Sequence, residues 1–167
     1  VEFGKGLAKG APDLRVYWQQ LMIQLDLQHR SQSDFSVIRG FIEETNSIDS
    51  ALAQELLDQC TQHFVLRSEL VYLHPSREFS EIDLDRCMSV LDASDIRPHM
   101  YGAILWGAPF SNLPENRVLE LAQRLLSKPN GDEVVLEALN MKVAHKVNAA
   151  ETLGPALRMI GLSAAIQ

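Results

Sequence analysis

Five histidines, two cysteines and a few adjacent carboxylates are the residues of this chain that could carry catalysis or hold a metal. Their spacing argues against both. His29, His63, His74, His99 and His145 are scattered along the sequence, and none belongs to an HExxH or comparable ligand pattern. His63 and His74 lie one hairpin turn apart and come nearest to a pair, yet a surface or capping role is expected for each. Cys60 and Cys87 show neither a CxxC motif nor metal-ligand spacing, which points to buried structural thiols. Glu43-Glu44 and Asp83/Asp85 are the closest carboxylates. On a helix, successive residues point about 100° apart and alternate ones about 200° apart, so neither pair converges on one substrate. Lys5-Gly6 sits among glycines but lacks the GxxxxGK[ST] frame of a phosphate loop, and no GxSxG accompanies the serines. Nothing positive supports an enzyme in this chain, and no catalytic residue, cofactor or metal is expected.

The elements that would position any site are legible in a repeat. Leu57, Leu91 and Leu126 fall 34 and 35 residues apart, and thirteen residues after each comes Leu70, Ile104 or Leu139. Four residues before each stands a small side chain: Ala53, Cys87 or Ala122. The frame extends to Leu25 with Ile38 and, more faintly, to Ala156 with Ile160. Such a period equals two helices and two turns. The expected fold is all-α, a right-handed α-solenoid of four to five antiparallel hairpins, with those six aliphatic residues buried.

Caps and breakers divide the chain into about nine helices. Asp13 opens a segment carrying Leu14, Trp18, Leu21 and Leu25, and Phe35 to Ile42 begins another. Asp49 precedes Leu52 to Leu57, and Phe64 to Leu73 runs up to Pro75. Ser80-Glu81-Ile82-Asp83 reads as a capping box. Pro98 and Pro114 suit first helical turns, Pro129-Asn130-Gly131 is a turn, and Thr152 is a candidate cap with Pro155 tolerated after it. Residues 1–10, with three glycines, read as a flexible lead-in to a single domain over 11–167. The opening lacks Met and the end is apolar, so the chain is expected to be a piece of a longer protein.

Composition narrows the function classes. Apolar residues make up 46% and charged residues 22% of the 167, ordinary for a soluble globular domain. No apolar run approaches the roughly 20 residues that span a bilayer, and Val1-Glu2-Phe3-Gly4-Lys5-Gly6 lacks the apolar stretch of a signal peptide. With two thiols and no leader, a cytoplasmic protein is expected. Net charge is −7, and between Gln32 and Asp95 thirteen Asp/Glu stand against four Arg. An acidic middle disfavours nucleic acid and anionic membrane as partners.

The paired-helix period resembles the HEAT/armadillo class of repeats. Some phrases resemble those in C-terminal helical regions of large bacterial nucleotide-hydrolysing proteins. They are Phe3-Gly4-Lys5-Gly6-Leu7-Ala8 with Trp18, Gly40-Phe41, Leu57-Asp58 and Ala138-Leu139-Asn140-Met141-Lys142. In those proteins the helical array senses a partner while a separate domain hydrolyses the nucleotide. The resemblance therefore implies a sensor or protein-interaction module, and it transfers no catalytic residue. The rival class is a nucleic-acid-processing enzyme on a helical-repeat scaffold, which would need a basic concave face.

One feature marks a candidate surface. Two residues past the shared core position of each second helix stand Tyr72, Trp106 and Met141, an offset that points away from the core. Val65, His99 and Val134 lie seven residues earlier on the same face. This column either packs between neighbouring hairpins or receives a protein or peptide, or another domain of the same chain. In the second case Tyr72 and Trp106 are anchors, with Arg67 and Glu69 as polar contacts.

Overall fold

A computed structural model describes residues 1–27, 34–74, 79–93, 95–106 and 113–145; for residues 106, 139 and 141–145 it describes the backbone alone. The described residues are all-helical, with nine α-helical segments and no strand. They fall into two compact units, residues 1–77 and 78–167. Thr152, Pro155, Ala156 and Ile160 lie outside the described residues.

The first unit begins with a correction. Residues expected as a flexible lead-in form α1 (Glu2–Gly10), and the close packing that Gly4 allows is the reason. Gly4 and Ala8 make one face small enough for α1 to lie directly on α3 (Phe35–Ile48). A Cβ on Gly4 would land on the carbonyl oxygen of Val37 and 2.8 Å from the nitrogen of Phe41. Lys5 then reaches Glu43 at 3.1 Å and Lys9 reaches Glu44 at 3.7 Å.

Between them in sequence, α2 (Leu14–Leu27) starts where Asp13 accepts hydrogen bonds from the amides of Arg15 and Val16. Asp34 caps α3 in the same way through Ser36, and Asp49 caps α4 (Ser50–Gln62) through Leu52. These are the side-chain acceptors that helix starts require. Trp18 is buried, with its ring 6.0 Å from that of Phe41 and its indole N–H donating to Gln59 at 2.7 Å. Beyond α4 the chain does not form the regular second helix expected from Phe64 to Leu73. It makes a 3-10 turn (Leu66–Glu69) that continues into the single turn of α5 (Leu70–Leu73).

In the second unit the predicted capping box is present. Ser80 Oγ accepts from the Asp83 amide and the Asp83 carboxylate accepts from the Ser80 amide, opening α6 (Glu81–Val90). Pro98 opens a 3-10 turn (Pro98–Tyr101) that passes into α7 (Gly102–Trp106). Pro114 precedes α8 (Glu115–Leu126), and α9 (Gly131–His145) follows the turn at Asn130, whose φ of 60° lies in the left-handed region.

Of the six predicted core positions, Leu57, Leu70, Leu91 and Ile104 are buried, as is the small column Ala53, Cys87 and Ala122. Leu126 is only half-buried. The inward face of α8 is centred on Leu121 and Leu125, both fully buried, which leaves Leu126 at its margin about 100° round the helix. The side chain of Leu139 lies outside the described residues.

In the first unit α2 and α4 run parallel, and in the second α6 and α8 do. Arg15 pairs with Glu55, Trp18 with Gln59 and Asp26 with His63, so the contacts advance together along α2 and α4. Asp85 meets Arg117, while Asp92 meets Arg124 and Lys128, which sets α6 beside α8 in the same sense.

Candidate functional site

The residues singled out for partner contact divide between the two units. Tyr72 sits on α5, half-buried, with the Arg39 guanidinium of α3 stacked 4.8 Å above its ring centre. Such a cation–π contact holds an aromatic plane in one orientation. Arg67 turns the other way in sequence and lies 5.1 Å over the ring of Phe64, which is 61% exposed. Glu69 is a correction. It is only 6% exposed, with the Ser68 hydroxyl donating to its carboxylate at 3.4 Å, so it is a buried structural group rather than an outward polar contact. The 3-10 geometry of Leu66–Glu69 explains the difference, because three residues per turn rotate Glu69 away from where an α-helix would hold it.

Trp106 ends α7 and Met141 lies in α9, two segments that pack together. Their side chains fall outside the described residues, so Tyr72, with Arg39, is the anchor of the proposed column whose surroundings are described. Two partners escaped the sequence reading. Arg39 lies mid-helix in α3 with no sequence motif to mark it. Phe64 gave a weak signal, an apolar residue placed just past the helix end at Gln62.

The chemistry-bearing residues are committed to structural pairs. Glu43 and Glu44 both fasten α1 through Lys5 and Lys9. Asp83 is buried, caps α6 and pairs with Arg86 at 2.8 Å, while Asp85 faces outward to Arg117. The two carboxylates diverge as their helical offset predicts. On the same face, Asp92 between Lys128 and Arg124 has its carboxyl held below the usual carboxylate range, chiefly by the Lys128 hydrogen bond.

His63 and His74 do not form a joint site. The Nδ1 of His63 faces the amides of Val65 and Leu66 at 3.2 and 3.4 Å. Accepting from those amides leaves Nδ1 unprotonated, so Nε2 carries the proton and donates to Asp26 at 3.1 Å. The His74 ring is buried and its Nδ1–H donates to the Leu70 carbonyl at 2.7 Å. Cys60 and Cys87 are buried and reduced. Burial first, then the neighbouring Asp83, pushes the Cys87 thiol far above its ordinary range, with Arg86 opposing. Among the described residues, no group of three or more His, Cys, Asp or Glu is placed to hold a metal ion. None of the described helices is long and apolar enough to cross a membrane.

Compared with known proteins, the chain matches no family model, no curated protein and no solved structure.

Proposed function

We propose that this chain is a non-catalytic protein-interaction or sensor module, built of antiparallel helical hairpins in a right-handed HEAT-like stack. It acts within a larger bacterial, cytoplasmic protein as a scaffold for a protein or peptide partner, or for another domain of the same chain. The observation that carries this reading is the parallel pairing of alternate helices, α2 with α4 and α6 with α8, fixed by side-chain contacts at regular offsets. That is the local grammar of stacked hairpins, which present one helix of each pair as an extended surface. The Arg39-clamped ring of Tyr72 suits an anchor there, since an aromatic already held in place loses little entropy on docking.

The test uses the purified chain and two readouts. Tyr72→Ala should leave the melting temperature within a few degrees while weakening capture of the protein partner that the wild-type chain retains. Titration with duplex and single-stranded DNA at low and moderate salt addresses the nucleic-acid reading. Tight binding that falls steeply with salt would overturn the proposal.

A further inference from the structure

The helix α2 is apolar on two opposite sides, and only one of them is used by its own unit. Trp18 and Leu25 face inward and are buried. Val16, Ile23 and Leu27 are 45%, 57% and 74% exposed. At 100° per residue these three fall within about 40° of arc, diametrically opposite Trp18 and Leu25. They form a straight seam along the 14-residue helix. The positions beside the seam are the exposed Gln19, Gln20 and Gln24, neutral residues in a chain of net charge −7. The charged residues of α2 are Arg15 in its first turn and Asp26 in its last. Both project on the same flank of the seam, about 80–100° from Val16.

This arrangement is complementary to itself when turned end for end. We infer that the α2 seam binds the α2 seam of a second copy of this chain in an antiparallel, two-fold pairing. The register that sets Val16 against Leu27 of the second copy brings Arg15 within about two residues, roughly 3 Å of axial rise, of the level of that copy's Asp26. The two-fold repeats the contact at the other end, as an isologous interface requires. A parallel two-fold pairing would instead place the two Arg15 side chains, and likewise the two Asp26 side chains, at equal levels on opposite flanks of the seam, where neither meets an opposite charge. Arg15 already reaches Glu55, and one oxygen of Asp26 meets His63. Both side chains are more than half exposed, so each can take a second partner without leaving the first. The glutamines at the centre let the two acidic chains approach there without like charges meeting.

A seam of this length buries less than the roughly 800 Å² per partner of a standard interface. The dimer is accordingly weak, with half-association at tens to hundreds of micromolar, on the order expected for a small interface. The inference stands on α2 alone and does not depend on the Tyr72 surface.

Sedimentation equilibrium of the full chain from about 5 to 500 µM tests it. A monomer–dimer equilibrium is expected, weakened about tenfold or more by Ile23→Glu, which buries a charge in the seam; the melting temperature should stay unchanged because Ile23 is exposed. Arg15→Glu and Asp26→Arg should each weaken the dimer, and the two together should restore it. Those variants are read at a temperature where circular dichroism shows each one folded, since Arg15→Glu also removes the Glu55 pair. In disulfide trapping, Val16→Cys mixed with Leu27→Cys should cross-link faster than either alone, with the buried Cys60 and Cys87 silent. A chain that stays monomeric at the top concentration overturns the inference. So does self-cross-linking of Val16→Cys that outpaces the mixture, because it would mark a parallel pairing.

Discussion

Gly4 of α1 and Gly40 of α3 occupy the two sides of one helix crossing, and each faces the other helix's backbone. A Cβ on Gly4 would strike the Val37 carbonyl, and one on Gly40 would strike the Val1 carbonyl and come within 3.1 Å of the Lys5 nitrogen. Both obstacles are main chain and cannot swing aside. Contact of backbone with backbone is what lets Lys5 and Lys9 reach Glu43 and Glu44. Gly40→Ala should therefore lift α1 off α3 and cost about 1–3 kcal/mol, in the range of an overpacked core. Urea denaturation measures it, and a loss below a few tenths would show that the crossing can relax.

Gly6 provides the opposite sign in the same helix. Nothing lies within 4 Å of a Cβ built there, and the residue is exposed in the interior of α1. Glycine in a helix costs about 0.5–1 kcal/mol relative to alanine. Gly6→Ala should thus raise stability by about that amount. Opposite outcomes at two glycines would separate close approach from backbone entropy as the reason each is there.

Tyr101 ties the C-terminal turn of α6 to the segment that follows. Its hydroxyl donates to the Cys87 carbonyl at 3.1 Å, and the ring is buried. Carbonyls in the last turn of a helix have no partner within the helix and need one from outside. Tyr101→Phe should cost about 0.5–1.5 kcal/mol, the net worth of one hydrogen bond. Burial pushes the phenol well above its ordinary range, with the neighbouring Cys87 adding to the shift. In an absorbance titration Tyr101 should therefore ionise only as the protein unfolds. Leu91→Ala and Ile104→Ala, which empty fully buried sites nearby, should each cost about 2–5 kcal/mol.

How far the sequence could be read follows from what each feature depends on. Helix starts at Asp13, Asp49 and Ser80 were legible, because a cap is a local bond between residues two or three apart. The small column Ala53, Cys87, Ala122 was legible because it repeats. Leu126 failed by one residue, since a repeat fixes spacing and leaves the rotation of a helix to its neighbours. The lead-in failed for a different reason. Glycines at 4, 6 and 10 have the composition of a loose segment, and only the long-range partner Gly40 reveals that one of them marks a tight crossing. Glu69 failed because a 3-10 turn replaced the α-helix on which its direction was reckoned. The Tyr72–Arg39 stack joins residues far apart in sequence, and no local pattern announces such a pair.

Asp92 is where pH and salt should act most visibly on the second unit. Its carboxyl is lowered mainly by the hydrogen bond from Lys128 and then by the charges of Lys128 and Arg124. In the unfolded chain an aspartate titrates near its ordinary value of about 3.9. The folded state therefore binds this proton less readily than the unfolded state does. Its contribution is full above the unfolded value and is lost as pH falls through the lower folded value. Asp92→Asn should accordingly lower the urea midpoint at pH 7, with the gap to wild type closing as the pH drops below about 4. The pair is exposed, so added salt should also narrow the gap at neutral pH. A gap that stays constant from pH 7 to pH 3 would show that the asparagine perturbs α6 by some route other than charge, and would remove the Asp92–Lys128–Arg124 cluster from the forces that hold α6 beside α8.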